Sequence, residues 1–338
     1  MKKTALVAAL AAVMATPAFA QSSVTLWGRL NTSVESQKFG NKDRIVAVQN
    51  NSSRLGMRGT EDLGGGLKAA FNLEHGFNSD TGAVQTFGGS SSTFWSRQAN
   101  VELSGSFGTV RLGSWFPDTY FSTVDRTSNH NHDTGTSSDA LFSDFAFGIR
   151  TNKVGYFSPT VNGFSFIGAV RAGEGAGPKG YDLSLNYEAD GLHIAGTYAQ
   201  SGAYYGTGRI GSGNKRQTYG LEADYAFGPV LLTGYFQSEK IDGFRTRNIG
   251  RVSAMYTVGQ SEFHFNIGGT KSGGDSASAN GMTGDSFQKA GASQWTLGYN
   301  YNLSKRTKIY AFYTDIDQKL PNKAGDFDSL GVGIRHNF

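Results

Sequence analysis

The chain contains no cysteine, which rules out a disulfide framework and any thiolate metal site. Its fold must hold by hydrogen bonds and packing alone. Long hydrophobic runs are also missing. Beyond the first twenty residues nothing reaches the roughly 18 apolar residues that a spanning helix needs. Proline occurs only six times in 338 residues, and neither sign of charge dominates. The formal net charge is +4, of which two charges are Lys2 and Lys3. Without that pair the balance of +2 is too weak to argue for nucleic acid or an acidic partner.

Glycine is abundant at 47 residues, alongside 24 phenylalanines and 15 tyrosines. Glycine relieves crowding in twisted, tightly curved strands, and aromatic rings pack well on a pleated surface. The start reads as a secretory leader. Lys2 and Lys3 give it a positive head, Thr4 to Met14 is almost wholly apolar, and Ala18-Phe19-Ala20 is a small-x-small cleavage site. Cleavage is expected after Ala20, leaving residues 21–338 as one exported domain. A mildly polar exported chain without spanning helices has one membrane architecture open to it, a barrel in which every second residue faces water.

Hydropathy alternates with period 2 nearly throughout. Val24, Leu26, Leu30 and Val34 alternate with Thr25, Trp27, Arg29 and Ser33, and Trp295, Leu297, Tyr299 and Tyr301 alternate with Gln294, Thr296, Gly298 and Asn300. A helix would scatter the polar residues around its circumference, whereas a strand sorts them onto two faces. Sixteen such runs follow, from 23–36 and 53–60 to 306–316 and 327–338. Seven short turns, such as Ala189–Asp190, interleave with eight long polar loops at 37–52, 79–93, 117–149, 172–179, 201–214, 239–247, 272–291 and 317–326. Short periplasmic turns and long external loops are the habit of outer-membrane barrels. An even strand number lets the first and last strands pair, removing the free edge that lipid would not tolerate. The expected fold is all-β, a sixteen-stranded antiparallel transmembrane barrel.

Charge decides which face is inside. Arg29, Arg54, Arg58, Arg111, Arg251 and Arg335 all fall on the parity opposite to the apolar face. One Arg on the lipid face costs about 2–4 kcal/mol at mid-membrane. Six such errors would approach or exceed the ~5–15 kcal/mol of net stability of a typical domain. These arginines therefore line the lumen, and a charged lumen in a barrel of this strand number holds water. Tyr187, Tyr198, Tyr225, Phe227, Tyr256, Tyr299, Tyr301 and Phe338 sit near strand ends, where aromatic girdles belong.

The loop at 117–149 is out of proportion to the others. It sets Asp118, Asp125, Asp133, Asp139 and Asp144 against a single Arg126, and Phe121, Leu141, Phe142, Phe145 and Phe147 give it apolar surface to bury. Loops of this length in a compact fold are functional or disordered. The expectation is a loop folded into the barrel, its carboxylates facing Arg54, Arg111 and then Arg29 across a constriction. Such facing charges make a transverse field. The competing reading is a solvated external loop. Arg97 and Arg150 lie near the loop rim with ambiguous parity.

Several stretches resemble the Gram-negative general porin family: Ser23-Val24-Thr25-Leu26-Trp27-Gly28, the run from Ser53 to Lys68, Phe107 to Gly113, Leu303 to Thr307, and Val332 to Phe338. The likeness runs the full length, and Arg54 to Lys68 is its most specific part. It implies trimeric sixteen-stranded channels in lipopolysaccharide-bearing outer membrane, with the third loop folded inward and several members anion-selective. It also implies that the terminal Phe338 is read by the barrel-assembly machinery, and that Arg54 lines the constriction. A second constriction arginine would fall near Arg97 or Gln98, and Gln98 has the inward parity, which argues against strong anion selectivity.

Two other classes of function compete with passive diffusion of ions and small hydrophilic solutes. A barrel hydrolase needs a Ser–His–acid set at one rim. None of His75, His130, His132, His193, His264 and His336 sits beside a plausible nucleophile at a motif spacing, so neither catalysis nor a cofactor is expected. His130, His132 and Asp133 are more simply solvated loop residues than metal ligands. A channel specific for a sugar or organic acid would show an aromatic track in the lumen, for which Tyr204, Tyr205 and Tyr235 are too few.

Overall fold

The alternating segments fold as strands, and their pairing closes a ring. The computed structural model describes residues 23–85, 93–128, 149–175, 179–201, 215–241, 246–271, 291–318, 323 and 325–338. The expected leader with Ala20, His130 and His132, Asp133, Asp139 and Asp144, residues 141–147, and Tyr204 and Tyr205 lie outside the described residues. The strands are β1 (Ser23–Phe39), β2 (Ile45–Asn50), β3 (Arg54–Gly64), β4 (Leu67–Gly76), β5 (Gln98–Gly105), β6 (Gly108–Ser114), β7 (Lys153–Phe157), β8 (Phe164–Arg171) and β9 (Gly180–Ala189). They continue as β10 (Leu192–Ser201), β11 (Arg216–Phe227), β12 (Val230–Ile241), β13 (Arg247–Val258), β14 (Ser261–Thr270), β15 (Ala292–Asn302), β16 (Thr307–Gln318) and β17 (Phe327–Asn337). Two short helices, α1 (Asp118–Ser122) and α2 (Val124–Thr127), lie between β6 and β7.

Each strand pairs antiparallel with its neighbours, and β1 pairs with β17 from Arg29 opposite Asn337 to Phe39 opposite Phe327. The last residue completes the seam: Phe338 and Gly28 exchange both backbone hydrogen bonds at 3.0 Å. The ring has sixteen staves, because β2 and β3 both pair with β1, one above the other. This corrects the expected loop at 37–52: only residues 40–44 connect the first hairpin, and Ile45–Asn50 is strand. The stave breaks at residues 51–53, where Ser52 takes a φ of 61°. The break is held from inside the barrel, where Asn51 Nδ2 donates to Ser33 Oγ at 2.7 Å and to the Tyr310 hydroxyl at 3.0 Å.

Turn chemistry fixes the short rim. Asn162-Gly163 and Asp190-Gly191 both have positive φ at both positions (50° and 84°, 51° and 79°). This is the mirror-image turn whose twist matches a two-residue hairpin, and Asn or Asp followed by Gly tolerates it best.

The two faces of the wall reverse the usual distribution. Large apolar side chains such as Leu221, Val332 and Leu297 are exposed on the outside, whereas Asn31, Glu35, Asp182, Asn266, Thr296 and Asn300 are buried on the inside. An outward apolar surface this extensive is stable against lipid rather than water. Near the short turns the outer face carries rings in contact: Phe164 with Tyr187 at 4.7 Å, Tyr225 with Phe227 at 5.9 Å, and Phe263 with Tyr299 at 5.1 Å. Apolar packing inside is local. Ile316 and Phe327 pack with Phe39 near the long-loop rim, and Val124 of α2 packs with Tyr235 of β12.

Candidate functional site

After β6 the chain turns into the barrel instead of away from it. Trp115, Phe116, Asp118 and Thr119 are buried, and α1 and α2 lie against the inner wall from β9 to β13. Asp182 of β9 holds the start of α1, its carboxylate accepting the backbone N–H groups of Asp118 at 2.8 Å and Thr119 at 3.0 Å. Lys153 of β7 donates to the same carboxylate at 2.9 Å and lies 3.8 Å from Asp118 Oδ2. Trp115 Nε1 donates to Asp118 Oδ2 at 2.9 Å. Burial, reinforced by the Asp182 carboxylate, pushes the Asp118 carboxyl up to about 6 against the pull of Lys153. Further along, Arg126 pairs with Asp224 of β11 at 2.5 Å, and Ser253 of β13 donates to the Thr127 carbonyl at 2.8 Å. The described first part of the loop, to Ser128, is therefore strapped inside the barrel.

A cluster of arginines faces the lumen on β3, just before β5 and on the chain returning to β7. Arg97 Nε bonds Glu74 Oε1 at 2.5 Å, and Arg54 lies 3.5 Å from the same oxygen. Two guanidinium groups lie over the Phe116 ring, Arg97 at 4.7 Å and Arg150 at 4.2 Å from its centroid. Burial first, and then the charge of Arg97, lower the Arg150 pKa to about 10. Cations crowded to that degree favour an added negative charge. Arg29 faces Arg54 across β1 and β3 and donates to Asn337 at 3.2 Å. Lys308 lies within electrostatic range of both Arg335 and Arg29. A basic arc thus runs from β16 through β17, β1 and β3 to β5. The carboxylates Asp182, Glu222, Asp224 and Glu239 stand on β9, β11 and β12. Stepping round the ring from β5 to β11 crosses six of the sixteen staves, so the two sets are close to opposite.

The residues expected from the sequence distribute unevenly over this arrangement. Arg54 and Arg29 stand side by side in the basic arc. Arg111 pairs with Glu102 at 2.6 Å and lies 4.2 Å over the Phe157 ring, and it acts electrostatically on Asp118. Asp118 itself is a strut between the loop and the wall, wedged against Trp115 and Lys153. Asp125 is half-buried on α2, 3.5 Å from the Tyr120 hydroxyl. Tyr235 braces the loop from beneath instead of lining a track.

Sequence reasoning left Arg97 and Arg150 open and passed over Glu74, Lys153 and Asp182. Arg97 escapes a parity argument because its N–H bonds the carbonyl of Glu74, the residue opposite Gln98. Two successive residues share one partner, a bulge that re-aims a side chain, so Arg97 turns inward beside Gln98. Asp182 was readable as inward from the alternation of β9, but nothing in the sequence said that a loop rests on it.

Comparisons with known proteins agree with this architecture. A family model described as Gram-negative porin matches residues 5–320. The chain is 32% identical to outer membrane porin protein 32 of Delftia acidovorans and 29% identical to an outer membrane porin protein of Bordetella pertussis, in each case over 100% of both chains. Among solved structures it resembles an anion-selective porin from Comamonas acidovorans at a TM-score of 0.73 and 28% identity, covering 94% of this chain and 100% of that one. It also shares its fold with the OmpF of Salmonella typhi, at a TM-score of 0.69 and 17% identity over 93% of this chain and 97% of that one. With its closed barrel, lipid-facing outer wall and inward loop, the chain belongs to the Gram-negative porin family and crosses the outer membrane many times.

Proposed function

We propose that the barrel is a water-filled diffusion channel for ions and small hydrophilic solutes, and that it prefers anions. The observation that supports the preference is the convergence of Arg54, Arg97 and Arg150 around Glu74 and Phe116. Two of these guanidinium groups, Arg54 and Arg97, share that carboxylate, and low-dielectric walls strengthen the field they make across the lumen. The strapped loop narrows the lumen on one side, and the basic arc faces it from the other. An anion entering there relieves cation–cation repulsion, and a cation adds to it. The same reading makes the working assembly a homotrimer, which chemical cross-linking in detergent tests.

Zero-current potentials across a planar bilayer under a KCl gradient test the preference. The intact channel should pass chloride over potassium, and Arg54→Ala and Arg97→Ala should each move the potential toward the neutral value. A potential that stays put in both variants would remove these arginines from the selectivity mechanism.

A further inference from the structure

His193, Glu222 and Asp224 form a second polar site on the inner wall, apart from the arginine cluster. His193 is the second residue of β10, just past the turn at Asp190-Gly191, and it faces Asp224 across the ladder. Glu222 lies two residues before Asp224 on the same face of β11, because strand side chains alternate. His193 Nδ1 is 2.8 Å from Glu222 Oε2 and 3.7 Å from Asp224 Oδ2. One donor atom from each of the three residues falls within 4.8 Å of the others, and all three residues are buried.

The site already holds a cationic group, supplied by the loop. Arg126 Nε lies 2.5 Å from Asp224 Oδ2 and 3.9 Å from Glu222 Oε2. The guanidinium leaves part of the site unanswered: Glu222 Oε1 is buried with no hydrogen-bond partner. A buried acceptor in that condition favours a positive partner. Two carboxylates and an imidazole ask for more positive charge, and from a more compact source, than one shared guanidinium provides.

We propose that His193, Glu222 and Asp224 bind a divalent first-row transition ion of the zinc class, in exchange for Arg126. The donor set selects this class, since imidazole nitrogen with carboxylate suits zinc whereas calcium and magnesium take oxygen ligands. Ligands about 2.0–2.2 Å from a tetrahedral ion stand about 3.3–3.6 Å apart. The His193–Asp224 separation of 3.7 Å is near that spacing already, the His193–Glu222 pair at 2.8 Å has to open, and no donor pair is more than 4.8 Å apart, so shifts of about an ångström suffice. A fourth position stays open for water from the lumen. Because Arg126 belongs to α2, an ion in this site frees that end of the loop from Asp224 and links loop position to metal.

Titration calorimetry of ZnCl2 into the folded barrel in detergent, near neutral pH and in a non-chelating buffer, tests the site. The expected result is a single ion per barrel, with affinity falling on the order of tenfold or more in both His193→Ala and Glu222→Gln. Arg126→Ala keeps all three ligands and removes the competing cation, so its affinity should rise. That opposite sign separates a metal site from general damage to the fold. Absence of binding in both the parent protein and Arg126→Ala overturns the proposal. Binding unchanged in both ligand variants overturns it too, as does a weakened Arg126→Ala.

Discussion

Asp182 carries the backbone of Asp118 on its carboxylate, 2.8 Å from that residue's N–H, at the point where the chain turns from wall to loop. Lys153 of β7 holds the same carboxylate in place, so one buried ion pair supports the loop's anchor on β9. Removing one partner of a buried pair costs about 3–5 kcal/mol, much of it from the charge left behind. Asp182→Ala leaves Lys153 with the more distant Asp118 carboxylate, at 3.8 Å, and strips two helix N–H groups of their acceptor. The expected outcome is a barrel that still folds, with a loop cut readily by protease and a single-channel conductance that rises or flickers. A variant with the parent's conductance and protease resistance would show that the anchor lies elsewhere.

Asp118 makes the loop respond to pH. Burial, and then the Asp182 carboxylate, push its carboxyl up to about 6 from the ordinary 3.8. The folded state holds its proton more tightly, so this group's contribution to docking is complete below about 4 and is lost as pH rises through 6. Protonation also removes a negative charge next to Lys153, Asp182 and Arg111. Anion preference should therefore increase as pH falls from about 7.5 to about 5. Asp118→Asn should show much of that increase already at the higher pH and a flatter profile below it. A profile with the parent's slope in Asp118→Asn would assign the titration to another group.

Leu221 tests which side faces lipid. It is 61% exposed on the outer face of β11, directly between the inward Gly220 and Glu222. Leu221→Arg places a charge in lipid at about 2–4 kcal/mol if the position is near mid-membrane, whereas Leu221→Phe costs little. The folded, heat-resistant band on a gel should shrink for Arg and persist for Phe. Equal folding of the two would mean that this face meets water.

How far the sequence was legible follows from which physical rule controlled each part. Alternation in Val24–Val34 and Trp295–Tyr301 gave the wall and its inside, because one misplaced charge in lipid is expensive. Short connections such as Ala189–Asp190 marked the tight rim, and the positive φ of Asn162-Gly163 and Asp190-Gly191 shows how those turns are made. Alternation alone shortens the second stave, because Ile45–Asn50 follows a polar connection and the break at Ser52 leaves no periodic signal of its own. Arg97 was undecided because the bulge opposite Glu74 breaks parity at that one residue. The roles of Asp182 and Lys153 were hidden for a different reason: they depend on contacts between a loop and strands far along the chain, which periodicity does not encode.

Single-channel conductance of the purified protein in planar bilayers, followed across KCl concentration, tests the wet, charged lumen most directly. The account predicts steps that grow nearly in proportion to bulk conductivity, with no saturation by a single solute. A barrel that inserts but carries no current, or whose current saturates on one sugar or organic acid, would contradict it.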